Sequence, residues 1–183
     1  MRQLLKKIAK IILKGKNYLK FIKIKDRSTR NVLLNANQGV RLQVGENSKL
    51  LLGKPCFYTD GLCNISVRNN AILSIGGGTY FNQNCIVVAR EKILIGSNCM
   101  FGPNVYICDH DHFFNVEKIY REKYKTAPVE IGDGSWIGTG VVILKGTKIG
   151  KNCVVGAGCV VTGNVPDNTI LVQKRSNTFI ERR

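Results

Sequence analysis

Residues 131–166, written in sixes, read IGDGSW, IGTGVV, ILKGTK, IGKNCV, VGAGCV, VTGNVP. The first position is Ile or Val in all six. The fifth (Ser135, Val141, Thr147, Cys153, Cys159, Val165) is small or β-branched, and the second is Gly in four of six. A period this strict identifies a repeat architecture before any local propensity is weighed. A branched residue every six, followed by a turn, suits a short strand on one side of a coil. Stacking such coils buries the branched residues in columns, with about 4.8 Å between layers. Gly relieves the tight corners, where φ can be positive. Three sixes make one triangular turn, so Ile131 should stack on Ile149. The fold class predicted is all-β, a parallel β-helix of hexapeptide repeats.

The repeat continues upstream less cleanly. Ile95, Phe101 and Ile107 keep the spacing, with Cys99 and Val105 at fifth positions. Ile75, Phe81 and Val87 do so too, with Thr79 and Cys85. The step from Val87 to Ile95 is eight, which predicts a corner carrying two extra residues. Residues 32–72 alternate like strands in poor phase and read as degenerate first coils.

Composition fits one domain with a substantial core: 183 residues, 44% hydrophobic. That apolar share excludes a disordered basic tail. The longest apolar run is Cys85 to Ala89, far short of the roughly 20 residues that span a bilayer. No apolar secretory core is expected at the start. The seven cysteines form no CxxC pair, and four of them (Cys85, Cys99, Cys153, Cys159) fall on the small fifth position. Reduced core thiols are therefore expected rather than zinc ligands or disulfides.

Charge is uneven. The chain carries 28 Lys/Arg against 12 Asp/Glu, a net +16; residues 1–30 hold eleven Lys/Arg against Asp26 alone, so +10 sits there. Leu4, Leu5, Ile8, Ile11, Ile12, Leu19 and Ile22 recur at helical spacing, with lysines on the other face. Such a basic amphipathic helix can lie on an anionic membrane surface or pack on the body of the protein. The expected organisation is a basic helix over 1–30, a β-helix over 31–172 and a basic tail over 173–183.

One segment interrupts the repeat. After Ile107 comes CDHDH, then FFNVEKIYREKYKTAP over 113–128, before the coil resumes near Val129. A long loop inserted into a compact solenoid is usually functional. It follows directly on His110 and His112, the two histidines of the chain.

Over about residues 75–172 the sequence resembles the hexapeptide-repeat acyltransferases with a left-handed parallel β-helix. It is most similar to the galactoside and maltose acetyltransferases and to the O-acetyltransferases of capsule and O-antigen gene clusters. The DHDH element, the inserted loop and PVEIGDGSWIGTGVVILKGTKIGKNCVVGAGCVVTGNVP carry the resemblance. The left hand is implied by the family alone, since crossover rules would favour the right.

The resemblance implies an acetyl-CoA-dependent O-acetyltransferase, with no metal, acting on a sugar hydroxyl of a bacterial cell-surface polysaccharide or its precursor. In that family the catalytic histidine precedes the tryptophan of the WIG rung by four lengths of the repeat. Here His112 and Trp136 have that separation, with Pro128 between them. His112 is thus the expected base and His110 the alternate, with Asp109 or Asp111 available to orient a ring. Imidazole suits proton transfer near neutral pH. The resemblance further implies an oxyanion-stabilising N–H at Thr139, acceptor contacts from Asn82 and Trp136, and coenzyme A contacts from Ala157 and Thr162. Trp136, at a sixth position, is expected at a corner. Thr162-Gly163 and Val172–Asn177 depart from the family's usual residues, leaving Lys174 and Arg175 to supply charge for the coenzyme. Arg90 and Glu91 stand where sugar acetyltransferases carry acidic acceptor ligands, which implies an acceptor other than galactoside. The family is trimeric, with sites between subunits.

Other classes fit less well. A γ-type carbonic anhydrase needs three zinc-binding histidines. A nucleic-acid binder would account for the high pI, but the excess charge sits in one terminal segment and no nucleic-acid motif accompanies it. A non-catalytic scaffold leaves His112, Trp136 and Asn82 unexplained. An N-acetyltransferase of a nucleotide-linked amino sugar is the alternative enzymatic reading.

Overall fold

A computed structural model describes residues 40–54, 57–174, 176 and 178–182. The expected helix over 1–30, Cys56 and Arg175 lie outside the described residues. The rest is a parallel β-helix of six triangular turns. The first turn comprises β1 (Val40–Val44), β2 (Lys49–Leu52) and β3 (Tyr58–Thr59); the second β4 (Cys63–Val67), β5 (Ile72–Ile75) and β6 (Tyr80–Phe81). The third comprises β7 (Ile86–Ala89), β8 (Lys92–Ile95) and β9 (Met100–Phe101). In the fourth, β10 (Tyr106–Cys108) is followed by an antiparallel hairpin of β11 (His110–Phe114) and β12 (Ile119–Thr126), then β13 (Val129–Ile131) and β14 (Trp136–Ile137). The fifth and sixth are β15 (Val142–Ile143), β16 (Lys148–Ile149), β17 (Val154–Val155), then β18 (Val160–Val161), β19 (Asn164–Val165) and β20 (Ile170–Leu171).

Each turn gives one strand to each of three six-stranded parallel faces. Face A runs β1-β4-β7-β10-β15-β18, face B β2-β5-β8-β13-β16-β19 and face C β3-β6-β9-β14-β17-β20. Ile131 pairs with Ile149, as a turn of three sixes requires. First-position residues stack into buried columns, Ile65, Val87, Ile107, Ile143 and Val161 on face A and Ile75, Ile95, Ile131 and Ile149 on face B, where Val165, fifth in its six, takes the next place. On face C, Phe81 and Phe101 stack with ring centroids 4.5 Å apart.

The fifth position has a second task besides being small. Its hydroxyl or thiol donates to a carbonyl of the neighbouring coil. Thr79 Oγ1 reaches Gly96 O at 2.8 Å and Ser135 Oγ reaches Gly150 O at 2.9 Å. Cys63, Cys85, Cys99 and Cys153 make the equivalent bonds to Asn82, Gly102, Gly132 and Pro166 at 3.0–3.3 Å. All six described cysteines are free and buried, as expected of core thiols.

Four expectations about the fold need correction. The second-position glycines do not serve positive φ. They let coils approach: a Cβ on Gly132 would lie 2.5 Å from the Gly150 carbonyl carbon. Positive φ falls on the fourth position, filled by Gly134, Gly140, Gly146 and Gly158 or by Asn98, Asn104 and Asn152; Asn tolerates the left-handed region better than other side chains. The two extra residues between Val87 and Ile95 lengthen the sides, not the corner. In β7 and β8 both Val87 and Ala89, and both Ile93 and Ile95, point inward. The insertion expected as a loop over 113–128 is a hairpin whose first strand begins earlier, at His110.

The first coils are regular rather than degenerate. β1 pairs β4 over five residues, Val40↔Cys63 to Val44↔Val67.

Candidate active site

The hairpin leaves the coil between faces A and B, and Asp109 is the hinge. This carboxylate is 0% exposed. Its oxygens accept backbone N–H bonds from Arg90 (2.9 and 3.0 Å), Glu91 (2.8 Å) and Lys92 (2.8 Å), the corner one turn below. An acidic side chain in this position satisfies three donors that the corner cannot pair by itself.

Asp109 also holds His110. Its Oδ1 lies 3.2 Å from His110 Nδ1, which leaves Nε2 as the open ring nitrogen. Burial pushes the His110 pKa below its ordinary value; the Asp109 bond opposes that shift, and the Arg90 charge adds to it. Asp111 does not orient a histidine: it pairs with Lys145 Nζ at 2.8 Å.

His112 is more exposed. Its Nδ1 lies 3.2 Å from the Tyr120 carbonyl oxygen across the hairpin. As donor to that carbonyl, Nδ1 leaves Nε2 free to accept a proton from outside. Tyr124 of β12 faces both rings, with centroids 5.5 Å from His110 and 4.8 Å from His112. On the same tyrosine ring lies the Arg90 guanidinium, 3.4 Å from the centroid. Arg90 and Tyr124 were not legible as partners in the sequence, where a coil and the start of the hairpin separate them. The cue available was that Arg90 belongs to the corner just below the hairpin.

The other predicted residues gather on a different edge. Asn82, Thr139 and Ala157 follow β6, β14 and β17 at the corner between faces C and A. Coil stacking brings them into one line: a Cβ on Gly102 would lie 2.7 Å from Thr139 N, and one on Gly138 2.7 Å from Ala157 N. Asn82 Oδ1 accepts its neighbour's N–H, from Gln83, at 2.7 Å. Thr139 is exposed, and its N–H makes no hydrogen bond among the described residues. Trp136 is not at a corner. It lies within β14, paired with Met100 and Val154, and is 50% exposed on face C beside this edge. Thr162 follows β18 on the edge between faces A and B, above the histidines. Lys174 is exposed beyond β20.

One chain therefore unites His110 with His112, and Asn82 with Thr139 and Ala157, but keeps the two groups on opposite edges of face A. The line of small residues at Thr139 and Ala157 offers an edge along which an extended thioester arm could lie. No group of His, Cys, Asp and Glu among the described residues is arranged to hold a metal.

The family model for bacterial transferase hexapeptide repeats, six in number, matches residues 128–163. The galactoside O-acetyltransferase of Lactococcus lactis is 36% identical over 128 residues, 70% of this chain and 57% of that protein. Nodulation protein L of Rhizobium meliloti is 41% identical over 127 residues, 69% of this chain and 65% of that protein. A solved maltose O-acetyltransferase from Clostridium difficile superposes with a TM-score of 0.50 at 26% identity, covering 93% of this chain and 83% of that one. The match thus spans somewhat under two thirds of the length of the two curated relatives. With the six-residue period, the six stacked turns and these likenesses in agreement, residues 128–163 carry the repeats of the bacterial hexapeptide transferases, and the chain has the β-helix fold of the hexapeptide-repeat acetyltransferases.

Proposed function

We propose that the protein is an acetyl-CoA-dependent O-acetyltransferase of a sugar, working as a homotrimer, with its acceptor in a bacterial surface polysaccharide or its precursor. The observation that carries this reading is the pair of histidines on the hairpin, each with Nδ1 engaged by the protein and Nε2 left open. The names of the galactoside and maltose acetyltransferases given above support the acyl group and the acceptor class.

In this reading His112 Nε2 takes the proton of the acceptor hydroxyl as its oxygen bonds to the acyl carbon. The N–H of Thr139 holds the oxygen that becomes negative. The C–S bond then breaks, and the His112 imidazolium returns its proton to the departing thiolate. Asn82, Trp136 and His110 border the acceptor. Ala157, Thr162, Lys174 and Arg175 are assigned to the coenzyme.

The separation of the two edges supports a site shared between copies, as a trimer would provide. The edge of one copy bearing His112 would meet the edge of its neighbour bearing Thr139. Between these edges face A presents Ile86, Tyr106, Val142 and Val160 outward, an apolar column suited to contact between copies, whereas face B presents Glu130 and Lys148.

The test is a turnover assay following free thiol release from acetyl-CoA, run against neutral, acidic and amino sugars, with mass determined by light scattering. Thiol release that depends on a hydroxyl acceptor, from a particle of three chains, is expected. Turnover restricted to amino sugars would assign N-acetylation instead. A fully active monomer would refute the shared site.

A further inference from the structure

Arg90 is a cation in the candidate site without a counterion among the described residues. Its guanidinium carbon lies 3.4 Å from the ring centroid of Tyr124, the ring that also faces both histidines. No carboxylate pairs with it among the described residues, where the ion pairs are those of Asp109, Asp111, Glu130 and Asp133 with other partners. Asp109, which binds the Arg90 backbone, is occupied by three backbone N–H groups and His110. Glu91 is exposed and forms no ion pair among the described residues. The Arg90 Nε is buried and has no hydrogen-bond partner among the described residues.

A buried, unpartnered donor is costly unless something completes it. A guanidinium stacked on an aromatic ring keeps its in-plane N–H groups for a planar anion, which it can grip through two hydrogen bonds. The stack also fixes the orientation of the fork beside His110 and His112.

We propose that Arg90, seated on Tyr124, is a specificity-determining residue that takes an anionic group of the acceptor, a carboxylate or a phosphate, next to the histidines. The proposal rests on the transferase reading for the word acceptor; the anion site itself does not depend on acyl transfer. A sugar acid or a sugar phosphate is then favoured over a neutral sugar of the same shape. His112 would act on a hydroxyl of the sugar that Arg90 holds by its charge.

The test uses the full chain and its two histidines as reporters. Their imidazole resonances are followed by NMR while methyl β-D-glucuronide, methyl β-D-glucoside or glucose 6-phosphate is titrated in. The glucuronide or the phosphate should move the signals saturably, and the glucoside should not at the same concentrations. The tighter of the two anionic probes tells carboxylate from phosphate. Arg90→Gln should weaken the anionic probe at least about tenfold, as loss of a charge-assisted pair does. Arg90→Lys should fall between, and Arg41→Gln, two turns away, should match wild type.

Acidic and neutral sugars acting alike, no response to either anion, or an unchanged response in both Arg90 variants would overturn the proposal. So would loss of assembly in Arg90→Gln, which would make Arg90 a contact between copies. Acetyl-CoA turnover is measured separately. If it is absent with every acceptor, the transferase reading fails while the anion titration still stands or falls by itself.

Discussion

Asp109 joins two tasks in one carboxylate: it closes the corner at Arg90–Lys92 and holds His110 Nδ1 at 3.2 Å. The histidine is therefore set by the packing of two coils rather than by the hairpin that carries it. Asp109→Asn keeps the shape but offers one acceptor oxygen where two are in use. Placed where Oδ2 stands, that oxygen keeps the three N–H groups, but the amide NH2 then faces the Arg90 N–H and His110 in place of Oδ1, and the bonds lose their charge assistance, at a cost of about 1–3 kcal/mol. Urea denaturation monitored by circular dichroism should show that loss. An unchanged unfolding midpoint would mean that the corner finds other partners.

The two histidines should separate by mutation. His112→Ala is expected to reduce acyl transfer by about 10²–10⁴-fold, the usual range for loss of a general base. His110→Ala should retain most of it. If His110→Ala is the inactive variant while its assembly and melting temperature match wild type, the roles are reversed and the Asp109–His110 pair is the basic one.

The fold was legible wherever a coil is three sixes long, because Ile131, Ile149 and their neighbours then recur in strict phase. It was less legible upstream because the sides there are wider. Val44 stacks on Val67 and Val67 on Ala89, steps longer than three sixes, with the excess absorbed as extra inward residues in the strands. The Asn-or-Gly requirement at the fourth position, from Asn47 and Asn70 to Asn168, was present throughout and marks the corners even where the hydrophobic phase drifts. The site was legible only in part. His110, His112, Trp136 and Thr139 each carry a local motif. The burial of Asp109 depends on a corner in the preceding coil, and the Arg90–Tyr124 stack joins a coil to an insertion. Neither contact leaves a periodic trace.

Stability should respond to acid through His110. Burial, the largest cause, holds its folded pKa below the ordinary 6.5. Between those two values the unfolded chain binds more protons than the folded one, so stability rises with pH across that window. The contribution is complete above 6.5 and fades as pH falls toward the folded value. Melting temperatures of wild type and His110→Gln, measured in steps from pH 7.5 to 5, should converge as the pH falls. Parallel curves would show that His110 does not report its burial.

The thiols should be silent in the native state. Cys63, Cys85, Cys99, Cys108, Cys153 and Cys159 are buried, and several donate to carbonyls of the adjoining coil. A colorimetric thiol titration should find no more than one reactive group before denaturation and seven after it, the seventh being Cys56. Rapid reaction of several groups in folded protein, or disulfides in freshly isolated protein, would contradict packed core thiols.

Residues 1–30 carry a prediction of another kind, from composition alone. Eleven basic residues against one acidic give this segment a charge of +10. Near an anionic bilayer each basic residue is worth about 1 kcal/mol, an attraction that added salt screens. Leu4, Leu5, Ile8, Ile11 and Ile12 would supply the apolar side for the headgroup region. Tethering would concentrate the enzyme where lipid-linked glycan precursors are exposed. The full chain should sediment with vesicles containing anionic lipid, lose that binding at high salt and bind neutral vesicles weakly. A variant lacking residues 1–25 should stay in the supernatant while keeping its assembly and melting temperature. Equal, salt-insensitive partitioning of both forms would eliminate the tether. A truncated protein that unfolds or dissociates would instead mean that the segment packs on the β-helix or on a neighbouring copy.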